Sequence, residues 1–148
     1  MTDRTAVPTP TWVLIYGRLG LIPFLAPGII GWIWPAYAPL AGSTLAVYAA
    51  LILSFLGGGR WGMAVACPDV DNRIVSLAML PSLAGFALLM LPADQRLWQL
   101  GGLAVAHMLQ GVWDLRAKAV PAWYASLRGQ LTLAALVGLA LGMAVLRA

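Results

Sequence analysis

The chain has 148 residues, of which 61% are hydrophobic and only 9% charged, with a mean hydropathy of +0.86. A soluble domain carries roughly 25% charged residues, so this composition excludes a water-coated globule and makes lipid the solvent. The formal charge of +4 would suit nucleic acid, but the nine Lys and Arg are scattered between apolar runs and form no patch, which excludes that class as well.

Cys67 is the only cysteine, so no intrachain disulfide and no cysteine-based metal cluster is expected. Arginine outnumbers lysine eight to one, and Ala, Gly and Leu dominate, which suits GC-rich coding and a bacterial source. The opening MTDRTAVPTPTW is too short and polar for a transit peptide. The first apolar run lacks a small-residue cleavage site and is expected to be retained.

A spanning helix needs about 20 mostly apolar residues, and five stretches qualify. The first runs from about Trp12 to Trp34, with Pro23 and Pro27 inside it predicting a kink or break. The second runs from about Gly42 to Ala66, after the turn WPAYAPL. The polar loop CPDVDNR leads to the third, about Ile74 to Leu91, with Pro81 in its middle. PADQR turns the chain into the fourth, about Leu97 to Leu115. Pro121 suits the first turn of the fifth, which reaches about Leu146. The expected fold is an all-α integral membrane protein: one domain over 1–148, a bundle of five transmembrane helices at about 12–34, 42–66, 74–91, 97–115 and 121–146. Most of the seven tryptophans fall near predicted helix ends, as an interfacial aromatic belt requires. Arg4, Arg73, Arg116 and Lys118 lie on one side of this topology, and Arg96 and Arg147 on the other. The positive-inside rule then places the N-terminus in the cytoplasm and the C-terminus outside.

Two stripes of small residues stand out. Ser54, Gly58, Gly62 and Ala66 recur every four residues on the second helix, and Ala134, Gly138 and Gly142 do so on the fifth. Without bulky side chains, helix backbones can approach closely in lipid. The stripes are expected to face each other or another subunit. A phosphate-binding role needs a preceding strand and a soluble helix, which this context lacks.

Arg60 lies almost opposite Gly58 and Gly62 on a helical wheel, so the second helix has two faces that avoid lipid and is expected at the centre of the bundle. Arg18 and Arg128 fall at a similar depth, about two turns from the same end. His107, Gln110 and Asp114 share one face of the fourth helix. Intramembrane polar rows normally face the protein interior or a water-filled cavity. One reading is therefore a pocket in the cytoplasmic leaflet, lined by Arg18, Arg60, Gln110, Asp114 and Arg128, with Asp114 paired to Arg60 or Arg128 and an excess of positive charge that suits an anion. The other is structural: arginines so close to a helix end snorkel to headgroups, and the Arg–Asp pair only fixes register.

His107 is the only histidine. Haem ligation, proton relay and quinone contact are open to such a residue, but no second histidine or carboxylate cluster supports a metal or bis-His haem site. An interhelical hydrogen bond is the simpler reading. Met63 and Met108 read as packing residues, and Asp69 and Asp71 as a solvated loop. No serine, cysteine or paired carboxylate forms a catalytic set, so no catalytic residue, metal or cofactor is expected.

ILSFLGGGRWGMA (52–64) and PAWYASLRGQLT (121–132) carry a resemblance. They are similar to segments of the domain-of-unknown-function family numbered 3429, which includes the mitochondrial transmembrane-protein-69-like proteins. Ser54, Phe55, Leu56, Gly57, Gly58, Trp61 and Gly62 match the first segment, and Pro121, Trp123, Tyr124, Leu127, Arg128, Leu131 and Thr132 the second. The likeness runs from about Tyr16 to the fifth helix. Arg60 stands where relatives often have histidine. The resemblance implies a bacterial or mitochondrial inner membrane and no particular activity.

Three functional classes follow. The first is non-enzymatic: an accessory or assembly component of a membrane complex, in contact with the bilayer and with a membrane-protein partner or further copies of itself. The alternative is a binder or carrier of a small amphipathic ligand (lipid, quinone or tetrapyrrole) in the polar pocket. The third, an intramembrane enzyme, rests on one His–Asp pair alone.

Overall fold

The first apolar stretch folds as two helices, and Pro23 explains where it divides. In the computed structural model, which describes residues 9–117 and 121–148, α1 spans Thr11–Leu19 and α2 spans Ile22–Ile33. Pro23 has no N–H to donate, and its ring crowds the preceding turn. The Phe24 amide turns to the Leu21 carbonyl at 3.0 Å, so the Gly20 carbonyl loses its helical donor. The Tyr48 hydroxyl donates to that carbonyl instead, at 2.8 Å, from the next long helix. Pro27 sits buried inside α2 without ending it.

A 3-10 turn over Pro35–Tyr37 leads into α3, Ala38–Val65. α3 begins about one turn earlier than the sequence suggested, because Pro39 falls in its first turn, where proline is tolerated. The third apolar stretch is again two helices, α4 (Asn72–Leu77) and α5 (Leu80–Leu89), divided just ahead of Pro81. Asp71 caps α4 by accepting from the Arg73 amide at 2.8 Å. Gly57 of α3 makes room for the division: a Cβ there would lie 2.6 Å from the Ala78 carbonyl oxygen. A 3-10 turn over Ala93–Gln95 precedes α6 (Arg96–Leu115), and α7 covers Ala122–Val145. No strand occurs among the described residues.

α3 is the centre of the bundle, as expected, packing against α2, α4, α5, α6 and α7. α7 closes the ring between α2 and α6, and α1 lies at the margin against α7. The core is a run of Leu45, Ala46, Ala49 and Leu53 from α3 against Phe24, Leu100, Leu103 and Leu139. At one end of the bundle Gly17 approaches Leu127 and Leu131; at the other, Gly31 meets Val145, and Gly42 meets Arg96 and Leu146. With α1–α2 and α4–α5 each counted as one rod beside α3, α6 and α7, the five rods of the described residues alternate in direction.

The outer surface is apolar and aromatic. Phe55, Phe86 and Trp98 are 74%, 63% and 76% exposed, which water would penalise and lipid does not. Among the described residues, four helical segments are long and apolar enough to cross a membrane: Thr11–Ile33, Pro35–Val65, Asn72–Leu89 and Trp123–Val145. α6 is long enough but less apolar, because Gln99, His107, Gln110 and Asp114 lie along it. All four are buried, and the exposed side of α6 carries Val105, Met108, Leu109 and Val112.

The two small-residue stripes do not meet each other. A Cβ on Gly138 would overlap the Phe24 carbonyl of α2, and one on Gly142 would overlap Leu45 of α3, so this stripe seats α7 on both. Among the described residues, nothing lies within 4 Å of a Cβ built on Gly58 or Gly62. Ser54 pairs its hydroxyl with that of Ser82 at 2.9 Å, Ala66 is exposed and Ala134 is half-buried. Of the two alternatives, the mutual contact is the one that fails, because the central helix turns a different face to α7: Leu45 and its neighbours, not Gly58 and Gly62.

Candidate functional site: a buried Arg–Asp cluster

Asp114 falls in the last turn of α6, where the helix dipole disfavours a negative charge. It is only 1% exposed, so its charge must be matched by the protein. Three side chains from three helices do this. The Arg128 Nε of α7 donates to Oδ2 at 2.7 Å, and the Gln110 Nε2 donates to Oδ1 at 3.0 Å. The Arg60 Nε of α3 approaches Oδ1 at 3.7 Å, and its guanidinium lies 4.2 Å above the Trp113 ring.

Local sequence explains the convergence. Gln110 and Asp114 are four residues apart and stack on one face of α6. Gly111, on the same face, lets α7 approach: a Cβ there would lie 2.7 Å from the Thr132 methyl carbon. The Thr132 hydroxyl is turned back to the Arg128 carbonyl at 2.8 Å. Without that clearance, Arg128 would not reach Asp114 by its Nε.

The cluster carries two guanidinium groups and one carboxylate. Among the described residues, two of its donors find no hydrogen-bond acceptor, the buried Arg60 Nε and Arg128 Nη2; outside the cluster, the Trp123 Nε1 at the start of α7 finds none either. Beside the cluster runs an apolar groove of about 320 Å³ between α4–α5 and α6, with Gln110 and Trp113 in its wall.

Arg60, Gln110, Asp114 and Arg128 thus come together as the sequence indicated. Arg18 does not join them. It is exposed on the marginal α1 and forms no ion pair among the described residues. Depth alone suggested it, but α1 lies at the margin of the bundle, with Gly17 against Leu127 and Leu131 of α7. His107 is also separate. Buried at 1%, it places Nδ1 3.0 Å from the Leu103 carbonyl of its own helix and meets Phe24 edge-to-face at 5.6 Å. The expected interhelical hydrogen bond is replaced by this local one and an aromatic contact.

Sequence reasoning missed Gln99, buried at 2%. Its Nε2 donates to the Leu91 carbonyl at 2.7 Å, tying α6 to the end of α5, while Arg96 donates to its Oε1. The signal was present, since Gln99, Leu103, His107, Gln110 and Asp114 recur every three or four residues. Among the described residues, no group of three or more His, Cys, Asp or Glu side chains is placed to hold a metal ion. Arg4 and Lys118, used for orientation, lie outside the described residues.

The family model described as Protein of unknown function (DUF3429) matches residues 9–145. The chain belongs to this family. Transmembrane protein 69 of Xenopus tropicalis is 31% identical over 139 residues, covering 88% of this chain and 53% of that protein. Transmembrane protein 69 of Mus musculus is 37% identical over 75 residues, covering 47% of this chain and 31% of that protein. The chain therefore spans about half the length of the first of these relatives. No solved structure matches it. The family match contains both sequence segments that carried the resemblance, and with the apolar helices it makes the chain a multi-pass membrane protein.

Proposed function

We propose that this is a five-span protein of a bacterial inner membrane that acts without catalysing a reaction, as an accessory or assembly component of a membrane complex. The observation that carries this reading is the uncovered face of α3. Gly58, Gly59 and Gly62 have open space where a Cβ would stand, on the most central helix of the bundle. In lipid, a small-residue face gains free energy by letting another helix approach closely, and Leu-sized neighbours would gain as much from lipid alone. The buried polar groups support a structural role in the same way. Asp114 is held by Arg128 and Gln110, and the His107 Nδ1 by Leu103. The His107 Nε2 has no partner among the described residues, but it lies in a side chain only 1% exposed and beside no second titratable group of a catalytic set.

The five-span count is supported by α6, which buries its polar row and turns apolar side chains outward. Arg73 and Arg116, exposed at the end where the cluster lies, support placing that end in the cytoplasm, with the N-terminus, leaving the C-terminus outside.

The test is native mass spectrometry of the tagged chain released gently from its own membrane, with Gly58→Leu in parallel. A partner or second copy bound to the unaltered chain, and lost from the variant, is the expected result. A lone monomer under these conditions, or an assembly indifferent to Gly58→Leu, overturns the reading.

A further inference from the structure

Among the described residues, two guanidinium groups share one carboxylate in the cluster, leaving a formal excess of one positive charge there. A buried unpaired charge is costly, and so is a buried donor without an acceptor. The Arg128 side chain is 6% exposed, and its Nη2 finds no acceptor. The Arg60 side chain is 11% exposed, and its Nε finds none within hydrogen-bonding geometry. What the site lacks is both negative and an acceptor. A water molecule supplies the second property but not the first.

The groove beside the cluster supplies the rest of a site. Its walls are apolar: Leu80 and Ala84 on one side, Ala106 and Leu109 on the other. Trp113 and Gln110 belong to the same wall of α6, one turn nearer the helix end, and both touch the cluster: Gln110 through Asp114, Trp113 through Arg60. The polar end thus faces the bundle end, and the apolar part runs toward the middle of the bilayer. That polarity matches an amphiphile lying parallel to lipid, headgroup outward.

We infer that the chain binds a single-headed anionic amphiphile, a carboxylate or phosphate at Arg60 and Arg128 with its acyl chain in the groove between α4–α5 and α6. The anion balances the second guanidinium and accepts from its free N–H groups. The acyl chain lies in the groove because its dispersion contacts there replace those it leaves in the bilayer, and the headgroup held at the arginines fixes its place. This binding is independent of the packing role proposed above: it uses the face of α3 opposite the open glycines.

The full-length chain is exchanged into a neutral detergent, and native mass spectrometry measures retention of oleate, dioleoyl phosphatidic acid, dioleoyl phosphatidylcholine and inorganic phosphate. One oleate or one phosphatidic acid is expected to stay bound at concentrations where phosphatidylcholine and inorganic phosphate do not. Oleate and phosphatidic acid together distinguish a fatty-acid site from a lipid-phosphate site. Arg60→Gln should weaken retention about tenfold or more, as loss of a charge-assisted contact does, while Arg60→Lys recovers part of it. Ala84→Phe should block the groove; its thermal unfolding, measured alongside, must stay close to that of the unaltered chain, and Leu109→Trp serves if it does not. Equal retention of phosphatidylcholine, or retention indifferent to Arg60→Gln and to the groove variants, overturns the inference. Inorganic phosphate bound as tightly as the amphiphiles overturns it too, because the groove would then contribute nothing.

Discussion

Removing the charge of Asp114 leaves Arg128 and Arg60 buried beside a neutral amide. Breaking one side of a buried ion pair costs about 3–5 kcal/mol, chiefly through the stranded partner. Asp114→Asn is therefore expected to destabilise the fold by about 3 kcal/mol, read as reversible unfolding in mixed micelles. Unfolding of the variant at the same denaturant fraction as the parent would show that the cluster adds nothing to the fold. Tyr48 makes a smaller case. Its hydroxyl is the donor to the Gly20 carbonyl freed by the break ahead of Pro23. Tyr48→Phe keeps the ring and its edge contact with Phe24 but leaves that carbonyl without its side-chain donor. A loss of about 1 kcal/mol is expected by the same unfolding measurement. At this scale much was legible: four of the six polar residues singled out from spacing do meet. Arg18 and His107 do not, because helix depth and helix face say nothing about which helices are neighbours.

Along α3, adjacent glycines have opposite roles. Gly57 faces the division between α4 and α5, where a Cβ would press on the backbone of Ala78. Gly58 faces open space. Gly57→Ala is expected to lower stability by about 1–3 kcal/mol through overpacking. Gly58→Ala should raise it by about 0.5–1 kcal/mol, as removing a helical glycine normally does. Unfolding midpoints of the two single variants test the pair, and like signs would contradict the placement of α3. On α7, Gly138→Leu should prevent the packing of α2, since even a Cβ overlaps the Phe24 carbonyl. The expected result is a chain recovered unfolded or aggregated after extraction, where Gly58→Leu is recovered folded. The sequence showed both glycine stripes, but small residues mark only where a close approach is permitted. Which helix makes the approach depends on the order in which the rods pack.

For the whole molecule, the proposed orientation puts Cys67 on the cytoplasmic side. It is exposed just beyond the end of α3, near the cluster end of the bundle. A membrane-impermeant maleimide should label Cys67 in inverted inner-membrane vesicles and not in right-side-out spheroplasts. A cysteine replacing Ala148 in a Cys67→Ser background should show the reverse pattern. Labelling of both positions from one side would show that one of the three stretches between them does not cross, and the reversed pattern would invert the topology. The alternating direction of the five rods, joined at opposite ends by Gly17 to Leu127 and by Gly31 to Val145, is the packing on which this expectation rests.

Composition by itself determined that lipid is the solvent, because a chain with 9% charged residues has no means to coat itself for water. Periodicity determined the helical stretches, and the prolines marked where a helix could divide; that Pro23 and Pro81 divide theirs while Pro27 does not was decided by the packing around them. Spacing on a single helix determined that Gln110 and Asp114 share a face, because a helix repeats every 3.6 residues regardless of its surroundings. Only the tertiary structure decided that Arg60 turns inward onto Trp113 and Asp114, that Arg18 stays outside, and that Gly58 and Gly62 are uncovered among the described residues while Gly57 is not. Those outcomes depend on which helices become neighbours, and that is settled by the summed packing of all the rods together.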